Sequence, residues 1–235
     1  MGVTNQGSEV WVIVVAAGSG SRFGGPKQFS DLAGQRVVDR AVAVAGRHAS
    51  GVVVVLPADS GSDTCVAGPA DSVVLTVAGD TSRSGSVRCG LAAVPDTADV
   101  VLVHDGARPL ASDELYRSVI AAVGGGAADA VVPAVAVTDT IRRRDGGIVD
   151  RSQLVAVQTP QAFRAEVLRD AHASGSEATD DAALVELAGG KVVLVNGDPL
   201  NLKITTPLDL DIAEALLRGG DTAEALFRRE AGSDD

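Results

Sequence analysis

Residues 12–29 read VIVVAAGSGSRFGGPKQF, so Arg22 and Lys27 share one glycine-rich loop that leaves an apolar run. Glycines allow left-handed backbone and close approach, and successive N–H groups can then turn toward an anion. Arg22 offers a planar fork and Lys27 a compact point charge. That combination suits a triphosphate. Spacing excludes two common phosphate motifs. The dinucleotide fingerprint GxGxxG, begun by Gly18 and Gly20, needs glycine where Phe23 stands. The P-loop needs Gly-Lys followed by Ser or Thr, whereas Gly25 is followed by Pro26, Lys27 and Gln28. Neither an NAD site nor an ordinary ATPase site is indicated. Taken alone, the loop is also compatible with a surface turn carrying two solvated cations.

Four further segments carry polar groups suited to the same chemistry. His104-Asp105-Gly106-Ala107-Arg108-Pro109 follows a hydrophobic run, which places it at the carboxyl end of a strand, where open α/β sheets bind ligands. Asp105 there could meet a metal or a hydroxyl and Arg108 a phosphate, or the two could simply pair to fix a loop. His104 reads as structural rather than catalytic. Residues 79–86, GDTSRSGS, lead into a helix; Ser86 could cap it or bind a base. The segments around Thr159 and Thr179 look like helix-entry loops. Lys203 is the one charged residue in NLKIT.

The elements that must position these groups follow from hydropathy. Runs at 10–16, 51–56, 73–77, 100–103, 130–135 and 191–195 are continuously Val-, Ile- or Leu-rich, as strands covered on both faces are. Helical patterns lie between them near 37–47, 86–94, 113–123, 164–173, 180–187 and 208–217. This alternation predicts one α/β domain over residues 1–235 with a doubly wound, mainly parallel sheet. Residues 137–158 break the rhythm with two β-like arms around Arg144-Asp145-Gly146-Gly147, a projecting hairpin that could serve assembly. The acidic end, 219–235, reads as a poorly ordered tail.

Composition narrows the partners. The 235 residues carry a net charge of −11, which argues against a general nucleic-acid binder and makes the cations Arg22, Lys27, Arg83, Arg108, Arg151 and Lys203 more informative. No apolar run approaches the ~18 residues of a membrane span. The start, MGVTNQGSEV, lacks the basic and apolar regions of a signal peptide. Cys65 and Cys89 show neither zinc spacing nor a disulfide framework, so a cytoplasmic protein with reduced thiols is expected.

In chain order AAGSGSRFGGPKQF, GDTSRSGSV, HDGARP, TDTIRR, VQTPQAF, ATDDA and NLKITTPLDL resemble the 2-C-methyl-D-erythritol 4-phosphate cytidylyltransferase family, over about residues 10–217. The resemblance implies a nucleotide-diphospho-sugar transferase-like fold. It also implies transfer of a cytidylyl group from CTP to 2-C-methyl-D-erythritol 4-phosphate in isoprenoid precursor biosynthesis. By the same resemblance, Ser19, Gly20, Arg22 and Lys27 wrap the CTP phosphates. Ala16, Ala17 and Gly18 with Gly85 and Ser86 form the cytosine pocket, and Arg83, Asp105 and Gly106 complete the nucleotide site. Catalysis would rest on Arg22, Lys27 and Lys203. Asp105, Arg108, Thr159, Thr179 and Lys203 would take the acceptor, joined by Thr140 and Arg151 from a second copy through a swapped hairpin. The implied cofactor is Mg2+, held mainly by the CTP phosphates, with Asp105 as its candidate protein ligand. Two departures, a shortened Arg22–Lys27 span and Gly79-Asp80 in place of a glycine pair, touch loop geometry and nucleotide affinity. The rival readings are a transferase for ribitol 5-phosphate or another polyol phosphate, a guanylyl- or sugar-nucleotide transferase, and a non-catalytic nucleotide-binding protein.

Overall fold

Val-rich runs become the strands of one sheet because branched side chains pack well on a pleated surface covered on both faces. The computed structural model describes residues 8–60, 66, 68 and 72–219. Its first half contains β1 (Val10–Val15), β2 (Asp31–Leu32), β3 (Gln35–Arg36), α1 (Val37–Gly46), β4 (Gly51–Leu56), β5 (Val73–Ala78), α2 (Arg83–Ala93), β6 (Val100–Asp105) and α3 (Asp113–Gly124). The second half contains β7 (Ala130–Ala136), β8 (Ile141–Arg142), β9 (Ile148–Val149), β10 (Val155–Val157), β11 (Gln161–Arg164), α4 (Ala165–Ala173), α5 (Asp181–Leu187), β12 (Val192–Asn196) and α6 (Pro207–Arg218).

The main sheet runs β10-β7-β11-β6-β1-β4-β5, and β12 also pairs with β7. β1 is parallel to β4 and β6, β4 to β5, and β12 to β7. Only β10 and β11 run antiparallel. The expected mainly parallel, doubly wound sheet is therefore present. One core layer joins alternate residues such as Val12, Val14, Val52 and Val54 to α1 and α3 through Val38, Val42, Tyr116 and Val119. The other joins Trp11, Ile13, Val53 and Val55 to α2, α4 and α5 through Val87, Leu168 and Leu184. Each fully buried valine contributes about 1.5–3 kcal/mol relative to an exposed one.

Three local outcomes differ from the sequence expectation. Residues Gln161–Arg164, where the sequence predicts a helix-entry loop at 158–161 leading into a helix near 164, form β11 and separate β6 from β7. Helix α2 starts at Arg83, three residues early, because Ser82 rather than Ser86 caps it, its hydroxyl accepting the Gly85 N–H at 2.9 Å. In the hairpin region the ladder joins β8 to β9 across a turn with Gly146 at φ 113° and Gly147 at φ 81°. Residues 155–157 return to the main sheet as β10.

Side chains start two further helices: the Ser112 hydroxyl accepts the Leu115 N–H, and Thr206 forms a capping box with Asp209. Among the described residues, no helix is long and apolar enough to cross a membrane. Cys65, residues 1–7 and the predicted tail from 220 onward lie outside the described residues.

Candidate active site

Loops from the carboxyl ends of β1, β5 and β6 meet the segment before α6 around a cavity of about 590 Å³. Its first wall is Val15 through Ser19, anchored by Ala16 N–H donating to Val55 O at 2.8 Å. Gly20 then turns the chain with φ 67°, and a side chain there would collide with the Gly25 carbonyl. A single 3-10 turn, Lys27–Phe29, follows, and the buried Gln28 amide donates to Gly18 O at 3.1 Å. This bond folds the loop back on itself, so Lys27 lines the cavity while Arg22 stays exposed outside its lining. Burial lowers the Lys27 pKa, and the neighbouring charges of Lys203 and Arg22 lower it further. No carboxylate stands within salt-bridge distance of Lys27 among the described residues.

The opposite wall is Asp80 through Arg83 with Ser86. Ser86 accepts the Asp80 N–H at 3.1 Å and donates to Ser82 O at 2.8 Å, pinning the loop to the first turn of α2. Gly79 is glycine because any Cβ would run into the Ala17 side chain. Gly85 and Gly106 stand behind the lining, where a Cβ would press on Asp80 and on Ala16.

Asp105 forms the floor. Lys203 Nζ donates to its Oδ2 at 2.6 Å, with Arg83 Nε 3.8 Å from Oδ1 and Arg108 Nε 3.8 Å from Oδ2. Burial works to raise the Asp105 pKa, but Lys203, Arg83 and Arg108 outweigh it and hold the carboxyl at about 2. Lys203 reaches this floor because the next residue, Ile204, donates its N–H to Ala107 O at 2.8 Å and packs with Leu32, Val37 and Ala213.

Beneath Asp105 lies a directional chain. The Asp105 N–H donates to Thr159 Oγ1 at 2.9 Å, Thr159 donates to His104 Nδ1 at 3.1 Å, and His104 Nε2–H donates to Arg108 O at 3.1 Å. The Arg108 carbonyl can only accept, so Nε2 carries a proton, and the neutral imidazole that burial favours leaves Nδ1 to accept from Thr159. His104 is fully buried, and burial pushes its pKa down to about 4.

This has a stability consequence. A histidine held below its unfolded value of about 6.5 contributes stability above that pH, and the contribution falls away as pH drops toward about 4. The interval, at about 1.4 kcal/mol per pH unit, amounts to about 3 kcal/mol. Between pH 7 and pH 4 the wild-type chain should therefore lose about 3 kcal/mol more stability than His104→Gln, read from urea midpoints at each pH. Parallel curves for the two chains would refute the assignment.

Other expected residues fall in two groups. Arg108 donates through Nη1 to Asn201 O at 2.7 Å beside the floor, and buried Asn201 donates to Thr159 O at 2.8 Å. Thr179, Thr140 and Arg151 do not line the cavity, and the exposed Arg151 guanidinium donates to Thr138 O within its own arm. Sequence reasoning missed Gln28, Asn201, Asp181 and His172, whose partners are distant in the chain or, for Gln28 and His172, nine or ten residues away.

A cavity bounded by a glycine-rich loop, with Lys27, Arg83 and Lys203 lining it beside the ionised Asp105 carboxylate at the carboxyl edge of this sheet, defines a nucleotidyltransferase of the nucleotide-diphospho-sugar transferase-like class. The family model for 2-C-methyl-D-erythritol 4-phosphate cytidylyltransferase matches residues 10–219. The chain belongs to that family, and cytidylyl transfer from CTP to 2-C-methyl-D-erythritol 4-phosphate in isoprenoid biosynthesis is its reaction.

The enzyme of that name from Saccharopolyspora erythraea is 48% identical over 225 residues, covering 88% of this chain and 99% of the relative. The Nocardia farcinica enzyme is 46% identical over 224 residues, covering 91% and 95%. The chain spans 61% of a bifunctional IspD/IspF enzyme from Clavibacter michiganensis, at 42% identity. The crystal structure of the Thermus thermophilus enzyme aligns with a TM-score of 0.75 at 37% identity, covering 89% of this chain and 99% of that one.

Proposed function

We propose that the cavity holds CTP with its triphosphate along Ser19, Gly20, Arg22 and Lys27, its base at Ala16, Ala17, Gly18, Gly85 and Ser86, and its ribose near Asp105, with Arg83 and Gly106 completing the nucleotide site. The acceptor phosphate lies on the Arg108, Thr159, Thr179 and Lys203 side, with Thr140 and Arg151 supplied by a second copy of the chain. A phosphate oxygen of 2-C-methyl-D-erythritol 4-phosphate attacks the α-phosphorus in line. The bond from that phosphorus to the β-bridging oxygen breaks, and pyrophosphate leaves with the electron pair. A phosphomonoester has a second pKa of about 6, so the nucleophile is largely dianionic at neutral pH and needs no general base. That agrees with His104, whose two ring nitrogens are both engaged. The side chains position the reactants and neutralise charge.

The reading requires Mg2+, and the donor set fits one that keeps most of its ligands from phosphate and water. No group of three or more His, Cys, Asp or Glu residues suited to a metal occurs among the described residues, while Asp105 offers one ionised oxygen donor at the floor. Bound there, the ion neutralises charge on the triphosphate. The enzyme acts in the cytoplasm as a homodimer of single cytidylyltransferase domains joined through the 137–158 arm.

One observation carries the assignment: Lys27 and Lys203 line one cavity, yet only Lys203 is paired with Asp105, which leaves the Lys27 charge for a ligand. Pyrophosphate release measured over a matrix of nucleotides and polyol phosphates tests it. CTP with 2-C-methyl-D-erythritol 4-phosphate should exceed every other pair by at least about tenfold in kcat/KM. Faster release with ribitol 5-phosphate, or with GTP, would move the chain to a rival transferase. Tight CTP binding without release would make it a binding protein.

A further inference from the structure

Arg83 lines the cavity but is held from behind by a carboxylate buried in the protein. Asp181, in the first turn of α5, is fully buried; its Oδ2 accepts from Arg83 Nη1 at 2.8 Å and its Oδ1 accepts from His172 Nε2 at 3.1 Å. His172 lies on α4 and is 3% exposed, and its Nδ1 has no hydrogen-bond partner among the described residues. In front, Arg83 Nε stands 3.8 Å from Asp105 Oδ1. The guanidinium thus spans a buried carboxylate and the cavity carboxylate. A second tie docks the same turn of α2: the Ser84 hydroxyl accepts from Ala178 N at 3.2 Å and donates to Ala178 O at 3.3 Å.

We propose that Asp181, oriented by His172, is a positioning residue that fixes the Arg83 guanidinium for CTP. An arginine free to rotate must be ordered when ligand binds, and that ordering weakens affinity. Asp181 imposes the order in the folded protein, before the nucleotide arrives. A bare carboxylate beside a triphosphate would repel it. Here the charge is covered in front by the Arg83 guanidinium and engaged behind by His172. The burial around Arg83 works against its cation, and Asp181, followed by Asp105, more than offsets this and raises the pKa. The inference rests on the reading of Arg83 as a CTP-binding residue.

The test is a steady-state comparison of full-length wild type, Asp181→Asn, Arg83→Ala and the double variant. Asp181→Asn should raise KM for CTP about tenfold, leave KM for the acceptor phosphate unchanged and lower kcat by less than about twofold. A merely structural role would lower the amount of active enzyme without selecting the nucleotide. In the Arg83→Ala background, Asp181→Asn should raise KM for CTP no further. If Arg83→Ala raises KM for CTP but Asp181→Asn has no effect, or adds fully to it, the positioning role is overturned and the Arg83 assignment stands. If Arg83→Ala leaves KM for CTP unchanged, that assignment falls and the positioning role with it. Should Asp181→Asn fail to fold, His172→Gln carries the test: KM for CTP rising about two- to threefold supports the role, and no change overturns it.

Discussion

Lys27→Ala lowers turnover by about 10²–10³ with the fold intact, the loss expected when one preorganised donor to a transition state is removed. The magnitude follows from where the ammonium sits. It is half-buried at the cavity wall, burial and the charges of Lys203 and Arg22 weigh against it, and no carboxylate pairs with it among the described residues. Such a cation gains most when a polyanion arrives and its charge grows on reaction. Asp105, by contrast, is already compensated by Lys203 at 2.6 Å. The fold should survive because Lys27 takes no part in the hydrophobic core and the loop is held by Gln28 on Gly18. Single-turnover rates at saturating CTP, with circular dichroism as the folding control, decide the matter. Lys27→Arg should recover only part of the rate, since a planar fork does not replace a point charge. Near wild-type turnover in a folded Lys27→Ala chain would sink the mechanism.

Arg151→Ala lowers activity by about 10² for the same reason, yet its effect should be rescued in trans. Within one chain Arg151 is exposed and bonds to the Thr138 carbonyl, away from the cavity lining. The surface of the same region carries Ile148, Leu154, Val155 and Val157 with 37–66% of their area exposed, an apolar stretch suited to cover by another molecule. If that molecule is a second copy, each cavity borrows Arg151 from the other chain. Mixing Lys27→Ala with Arg151→Ala then places both defects in one site of each mixed dimer and leaves the other site intact. At equal amounts with random exchange, about a quarter of wild-type activity should return. No recovery despite demonstrated subunit exchange would refute a shared site.

Elements were legible where information is local. Continuous valine runs specify buried strands, and Ser112 and Thr206 announce their helices through donors three residues on. β11 escaped because four residues, Gln161–Arg164, carry no periodicity, and their pairing with β6 and β7 depends on strands far away in sequence. Ser82 and Ser86 are both plausible caps. Close packing of Gly79 on Ala17 brings Ser86 to the Asp80 loop and leaves the capping to Ser82.

By itself the amino-acid order determined the chemistry on offer: a glycine-rich anion loop, clustered cations in an acidic chain, a strand ending in Asp105, and the fold class that lines them up. Only the tertiary structure decided which charges meet. Lys203 and Asp105 are 98 residues apart, as are Arg83 and Asp181, and both pairs form because sheet order and helix docking bring their segments to one edge. Arg22 and Lys27 share a loop, yet only Lys27 turns inward, through a backbone fold closed by Gln28 on Gly18. Local propensity reaches a few residues along the chain. The electrostatics of this cavity depend on packing between segments that no short-range signal connects.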